Sequence, residues 1–502
     1  MTGGLSLCLR REDFGVSDPL PPSAASPSKG EQSSLPLEGE SAFGSERRGS
    51  ALETSAGTGP VLRYIPSSQT DRRELLAAIG LTSIDQLFAG IPERLRLRRL
   101  LNIPRALTEP ELIEYFEKTA ARNATDYACF IGAGVYSHFT PVVVDALVSR
   151  SEFYTAYTPY QAEIAQGTLQ AIFEFQTYIT QLTGLDAANA SLYDGSTALA
   201  EAVLMAQRIT KRNKVLIAKT VHPEYRAVAA TYARNLGIEI ELIDYLETGR
   251  IDVDQVAARL DDRVAAVVLQ SPNFFGTIEE NSEAAALAHE HGALSIVNVC
   301  EAASLGVLRP PAGADIVVGE GQSLGVPMSF GGPHIGFLAT RDKYVRQTPG
   351  RLVGMGADME GRRAFVLTLA TREQHIRREK ATSNICTNQS LCALMATIYL
   401  ALLGPRGLRE VAEQNVQKTH YAVRRIQEQT GHEVLFPAPR FNEFVVRLQE
   451  DPAPKMEALM RDRIAPGLRL EKFYPELQNS LLICVTETMR KDRIDALVKG
   501  LQ

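Results

Sequence analysis

Two unbroken apolar runs, VAAVVL (264–269) and ALSIVNV (293–299), fix the kind of sheet this chain builds. A strand with one wet face alternates polar and apolar residues, whereas a strand covered on both faces reads as a continuous Val/Ile/Leu/Ala run. Helical stretches lie between the runs, so the spacing predicts βαβ units with right-handed crossovers and a mostly parallel sheet. Strands are predicted over 190–193, 215–218, 238–243, 265–269, 294–299, 315–318 and 335–339, with helices over 163–183, 196–211, 222–236, 253–260 and 280–291. From about 343 the pattern becomes α+β. One helix runs from 389 to Gly404-Pro405 and another over 408–429; strands 434–436, 443–448 and 481–485 surround a helix over 455–463, and a helix over 490–501 closes the chain.

The expected organisation is four segments. Residues 1–60, rich in Ser, Pro, Gly and Glu, have no apolar periodicity and read as a disordered extension. Val61 is a candidate start in place of Met1, because GTG also serves as an initiation codon. Residues 61–125 read as an N-terminal helical arm, 126–342 as the large α/β domain and 343–502 as the C-terminal α+β domain. In the arm, a helix over 71–79 is closed by Gly80, Thr82 or Ser83 caps a short helix through Phe88, and Thr108-Glu109-Pro110 opens a helix through Asn123.

With 53 basic against 59 acidic residues the net charge is −6, which disfavours a nucleic-acid surface. The six cysteines contain no CxxC pair and read as reduced cytoplasmic thiols. The longest apolar stretch, 391–403, includes Thr397 and falls short of the roughly 20 residues that span a bilayer. No membrane association is expected.

Three junctions carry chemistry. Tyr193-Asp194-Gly195-Ser196-Thr197 opens a helix after a strand, a place where backbone amides and hydroxyls hold a phosphate; Asp194 or Ser196 acting only as a helix cap is the competing reading. Gln270-Ser271-Pro272-Asn273-Phe274-Phe275-Gly276 follows a central strand, where ligands of open α/β sheets bind. Strand 294–299 presents Asn298, an amide that supplies no charge. The loop GADIVVGEGQSLGVPMSFGGPHIGF (313–337) contains no lysine.

An arm, a parallel-sheet domain and an α+β domain in this order resemble the fold-type-I (aspartate aminotransferase-like) pyridoxal-phosphate enzymes. Longer runs make the resemblance specific: RYIPSSQTDRRELLAAIG (63–80), FIGAGVYSHFTPVVVDALVSRSEFYTAYTPYQAEIAQGTLQAIFEFQTYITQLTGL (130–185), SLYDGSTALAEA (191–202), SPNFFGTIE (271–279), GEGQSLGVPMSFGGPHIGF (319–337) and REQHIRREKATSNICTNQSL (372–391). Over 61–502 the chain resembles the alpha (N-terminal) subunit of two-chain glycine decarboxylase, the P-protein of the glycine cleavage system.

The resemblance implies an α2β2 assembly in which the beta subunit holds pyridoxal phosphate on a lysine, decarboxylates glycine and passes aminomethyl to the lipoyl arm of H-protein. This chain is then the partner without the lysine, with Ser323 in its place and Asn298 and Ser196 at degenerate cofactor positions. His138, Tyr157, Tyr160, Glu163 and Asn273 are the candidates for lining the partner's active site. Plainer readings are packed tyrosines, a structural histidine and a helix first-turn carboxylate for Glu163. The basic run Arg372–Lys380 is either a solvated face or a contact for the acidic carrier. Two rivals are a binding or regulatory module on the same fold and a self-sufficient pyridoxal enzyme using Lys219 or another lysine. If Val61 is the start, mass spectra of protein made from the native gene contain no peptide from 1–60; finding one overturns that start.

Overall fold

The structure, a computed structural model, describes residues 67–502 except positions 98, 100 and 156. The expected disordered extension and the start at Val61 lie outside the described residues. These fall into two compact units, 67–120 and 121–502.

The first unit carries α1 (Gln69–Ala78) and α2 (Glu109–Ala120). α1 begins two residues before its predicted start because Ser68 and Asp71 cap each other's backbone N–H groups. At the entry to α2, Glu111 takes the Thr108 N–H at 2.7 Å and pairs with Arg105 at 2.6 Å.

In the second unit, β1 (Ala128–Cys129) leads into α3 (Val142–Val148) and α4 (Gln166–Thr183). α4 starts at Gln166, so Glu163 sits in the preceding turn and not in the first helical turn. The main sheet then builds through β2 (Ala187–Ala188), α5 (Gly195–Thr210), β3 (Lys214–Ala218), α6 (Pro223–Arg234), β4 (Glu239–Ile243), α7 (Val253–Arg259), β5 (Val264–Gln270), α8 (Asn281–Glu290), β6 (Leu294–Val299), β7 (Ile316–Glu320) and β8 (Gly336–Thr340). Its order is β2-β8-β7-β6-β5-β3-β4. Neighbours from β7 through β4 are parallel, and β8 runs against both β7 and β2. Every residue of β5 and β6 is buried, as continuous apolar runs require.

The predicted strand over 190–193 does not form. Ser191 takes φ 144°, its hydroxyl accepts from Asn388 and from the Gln389 N–H, and the Ala190 N–H goes to Arg351. The chain is drawn off the sheet, leaving β2 and a lone bridge from Leu192 to Gly336. A hairpin absent from the sequence reading follows: β9 (Leu352–Ala357) pairs antiparallel with β10 (Arg363–Thr368).

α9 (Ser390–Gln429) is two helices that meet at a kink, as the predicted break at Gly404-Pro405 requires. Only Gly404 leaves helical geometry, at φ 59°, just before Pro405, whose missing N–H breaks the ladder. The apolar first part, from Cys392 to Leu408, packs into a core with Val297, Val317 and Phe337. Farther along, Ala422 and Ile426 enter a second core with Phe444 and Ile483. That core covers an antiparallel sheet of β11 (Glu433–Val434), β12 (Glu443–Arg447), β14 (Leu468–Arg469) and β15 (Ser480–Cys484), flanked by α10 (Ala453–Arg461) and α11 (Lys491–Leu501). The remaining strand, β13 (Ile464–Ala465), pairs in parallel with β1. Observed β11 overlaps the predicted 434–436 strand at Val434 and stops there, and Phe436 turns to φ 59°.

Gly276 fastens the turn after β5 against the start of β12. Its φ is +81°, and a Cβ there would lie 2.0 Å from the Glu443 carbonyl oxygen. Gly276→Ala is expected to cost about 2–4 kcal/mol, combining left-handed strain with backbone overlap. Urea midpoints of the two proteins check this, and equal midpoints would show that the turn relaxes freely.

Candidate functional site

The parallel strands β3, β5, β6 and β7 end on one edge, where open α/β sheets place ligands. Here that edge is packed with the chain's own side chains. Asn298 is fully buried; its amide donates to Gln270 Oε1 at 3.0 Å and lies 3.2 Å from Cys300 Sγ. Gln270 Oε1 also accepts the His222 N–H at 2.8 Å. Ser323 is buried, its hydroxyl accepting the Ala303 N–H at 3.2 Å. His222 lies between Tyr225 and Phe274, both with ring centroids 4.8 Å away. Its Nε2 donates to the Ala133 carbonyl while Nδ1 accepts the Glu224 N–H, and burial drives its pKa down to about 4, so the ring is neutral.

Glu320, the last residue of β7, closes the N-terminus of α5. One carboxyl oxygen accepts the Gly195 N–H at 3.0 Å; the other accepts those of Gln322 at 3.0 Å and Ile335 at 3.1 Å. Burial, helped by Asp194, pushes its pKa up to about 8. A Cβ on Gly195 would stand 2.6 Å from Tyr225 Oη and 2.9 Å from the Glu320 nitrogen. Asp194 caps the helix, accepting from the Thr197 N–H and the Ser196 hydroxyl, both at 2.7 Å. At the predicted phosphate position the Gly195 and Thr197 amides are already taken by Glu320 and Asp194, and Asn298 offers no charge to a pyridine nitrogen. Pyridoxal phosphate does not fit this edge.

His138 is not at a cavity mouth. Its imidazole, 3 % exposed, spans Glu301 at 3.0 Å and Glu487 at 2.7 Å. Asn442 donates to Glu301 and Asn415 to Glu487, both at 3.0 Å. Burial alone would lower the His138 pKa, but the two carboxylates outweigh it and hold it at about 10. Beside it, Glu443 accepts the Ala133 N–H at 2.7 Å and the Tyr136 hydroxyl at 2.9 Å, and burial pushes its pKa up to about 7. These ion pairs and hydrogen bonds tie loop 130–139 to β12 and to the ends of β6 and β15.

Tyr157 and Tyr160 do come together, with ring centroids 5.9 Å apart, on a shallow cavity of about 240 Å³ also lined by Thr158, Gln161 and Ile164. Tyr157 is 73 % exposed and Ile164 82 %. The Tyr160 hydroxyl accepts from Arg351 at 2.8 Å, and Arg351 pairs with Glu373 at 3.3 Å. Glu163 is exposed in the adjoining turn and does not line the cavity. Asn273 is buried instead, its amide donating to the Gly249 carbonyl and Glu279 while its oxygen accepts two backbone N–H groups of its own turn. Lys219 is paired with Asp244. Arg372, from the basic run, donates to the carbonyls of Thr348 and Gly350, so it is structural.

The sequence reading passed over Glu320, Glu301, Glu487 and Arg351. A carboxylate closing a buried strand was the one available sign for Glu320.

Over residues 62–501 the chain matches the family model of the glycine cleavage system P-protein. It is 55 % identical over 441 residues to the "Probable glycine dehydrogenase (decarboxylating) subunit 1" of Koribacter versatilis (strain Ellin345), covering 88 % of this chain and 99 % of that one. The protein of the same name from Solibacter usitatus (strain Ellin6076) is 52 % identical, with 87 % and 96 % covered. A crystal structure of glycine decarboxylase (P-protein) of the glycine cleavage system, in inhibitor-bound form, superposes with TM-score 0.79 at 46 % identity, covering 87 % and 99 %. A sphingosine-1-phosphate lyase of Burkholderia pseudomallei K96243 shares the fold at 14 % identity and TM-score 0.60, covering 82 % and 94 %. The fold is thus the fold-type-I architecture read from the sequence.

The His138 pair sets a pH dependence. A pKa raised from about 6.5 to about 10 gives stability fully present below 6.5 and lost as pH rises toward 10. Glu443 and Glu320, raised to about 7 and 8, act in the same direction at lower pH. Unfolding free energy is expected to fall from pH 6 to 10. His138→Gln should lose about 3–5 kcal/mol at pH 7 and flatten the limb above pH 7. Denaturant titrations across pH check both; an unchanged limb in the variant would show that His138 is neutral in the fold.

Proposed function

The chain belongs to the glycine cleavage system P-protein family, and we propose that it is the alpha subunit of a two-chain glycine decarboxylase, silent alone and active with a beta subunit. In this reading the beta subunit holds pyridoxal phosphate on its lysine, and the cytoplasmic α2β2 complex passes the aminomethyl group of glycine to the lipoyl arm of H-protein. The cofactor, when bound there, supplies the electron sink for loss of carbon dioxide. Ser323 stands at the position of the partner's lysine, and Asn298 at that of its charged pyridine partner.

One observation carries the reading: the edge that would hold the cofactor is closed by the Glu320 carboxyl on the Gly195 amide. The chain's contribution is then to position groups for another site. Tyr157, Tyr160 and Glu163 stand at its surface, with Tyr160 held by Arg351 and Tyr157 left open to a partner. A hydroxyl held like that of Tyr160 can orient a substrate arm. His138 acts at one remove, by bracing the loop that leads into α3.

Reconstitution tests this. Purified chain, beta subunit, pyridoxal phosphate, lipoylated H-protein and glycine should give bicarbonate exchange that neither subunit gives alone. Tyr157→Ala should reduce exchange at least about tenfold with an unchanged unfolding midpoint, since it removes a positioning contact only. No exchange with this chain, where another alpha chain supports it, would favour the binding or regulatory module.

A further inference from the structure

A groove of about 650 Å³ lies between the second half of α9 and the segment Pro437–Arg440. Gln417, His420, Arg424 and Gln427 line it at spacings of three and four, so they form one stripe along the helix. Arg440 faces them from the opposite wall. One of its guanidinium nitrogens donates to the Phe436 carbonyl at 2.9 Å; another, Nη1, is buried with no hydrogen-bond partner. Among the described residues Arg440 has no carboxylate partner, and burial alone lowers its pKa. The lining residues include no Asp or Glu. Arg424 has only a loose 4.0 Å contact with Glu428.

A half-buried guanidinium without a counter-charge is costly unless an anion completes it. The groove is also preformed, because its floor is held by backbone bonds: the Ile278 N–H to the Pro439 carbonyl at 2.8 Å and the Phe441 N–H to the Gly276 carbonyl at 3.1 Å. Its size is that of a small-molecule site, and Val416, Val423 and Pro437 give it apolar walls.

We infer that this groove binds a small organic anion, its carboxylate or phosphate on Arg440 and Arg424 and its apolar part against the valines. The site is separate from the exposed tyrosines and from the packed strand edge.

Calorimetric titration of the full-length chain with sodium phosphate and, separately, with succinate tests it, at ionic strength held constant with sodium chloride. Saturable binding of one or both is expected, the stronger of the two naming the head group. Arg440→Gln should weaken binding at least about tenfold, the loss of a charge-assisted hydrogen bond. Arg424→Gln, at an exposed position, should weaken it several-fold without changing the unfolding midpoint, so that a folding defect at 440 is not mistaken for lost affinity. No saturable heat beyond the chloride control, equal affinity in the double variant, or binding of polyglutamate but of neither small anion would each overturn the inference.

Discussion

One side chain decides what the rest of the sheet edge can be. Glu320 reaches from the end of β7 to the first turn of α5 and satisfies an amide that helix geometry leaves open. The same carboxyl receives two further N–H groups, from the turn at Gln322 and from Ile335 just before β8. Helix, central strand and reversed strand are thereby joined at one buried point. Because the group is covalently part of the strand, any incoming anion competes with a ligand whose ordering entropy was met on folding. Replacing Ser323 by lysine would therefore not reopen the edge. The amide, the space beside Tyr225 and the amide side chain of Asn298 would all still be wrong for the cofactor.

The interior around this point holds several buried carboxyls. Glu443 and Glu279 are pushed up to about 7 and Glu320 to about 8, each chiefly by burial. They hold loops together by accepting N–H groups. The His138 imidazolium offsets part of the charge by taking both Glu301 and Glu487. Polar networks of this kind specify one packing because every member has a named partner.

Much of the architecture was legible because buried parallel strands announce themselves as apolar runs: β5 and β6 fall where VAAVVL and ALSIVNV lie. What failed was governed by tertiary bonds. The strand over 190–193 was lost to Asn388 and Arg351, nearly 200 and 160 residues away in the chain. The β9–β10 hairpin was hidden by glycines and exposed faces. In the site, the missing lysine and the neutral Asn298 were readable as chemistry withheld. The role of His138 was not, since its partners lie 163 and 349 residues away. Asn273 was placed at a strand end correctly, yet its side chain is consumed by its own turn and by Gly249.

The helix pair α9 has a consequence of its own. Its first part belongs to the core beneath β6 and β7, and its second part to the core beneath β12 and β15. The kink at Gly404, just before Pro405, divides it into two helices. Both cores draw on this one stretch of chain, the first up to Leu408 and the second at Ala422 and Ile426. By packing, residues 121–502 form one compact unit. The joint between the two helices rests on one residue that has no side chain, at φ 59°.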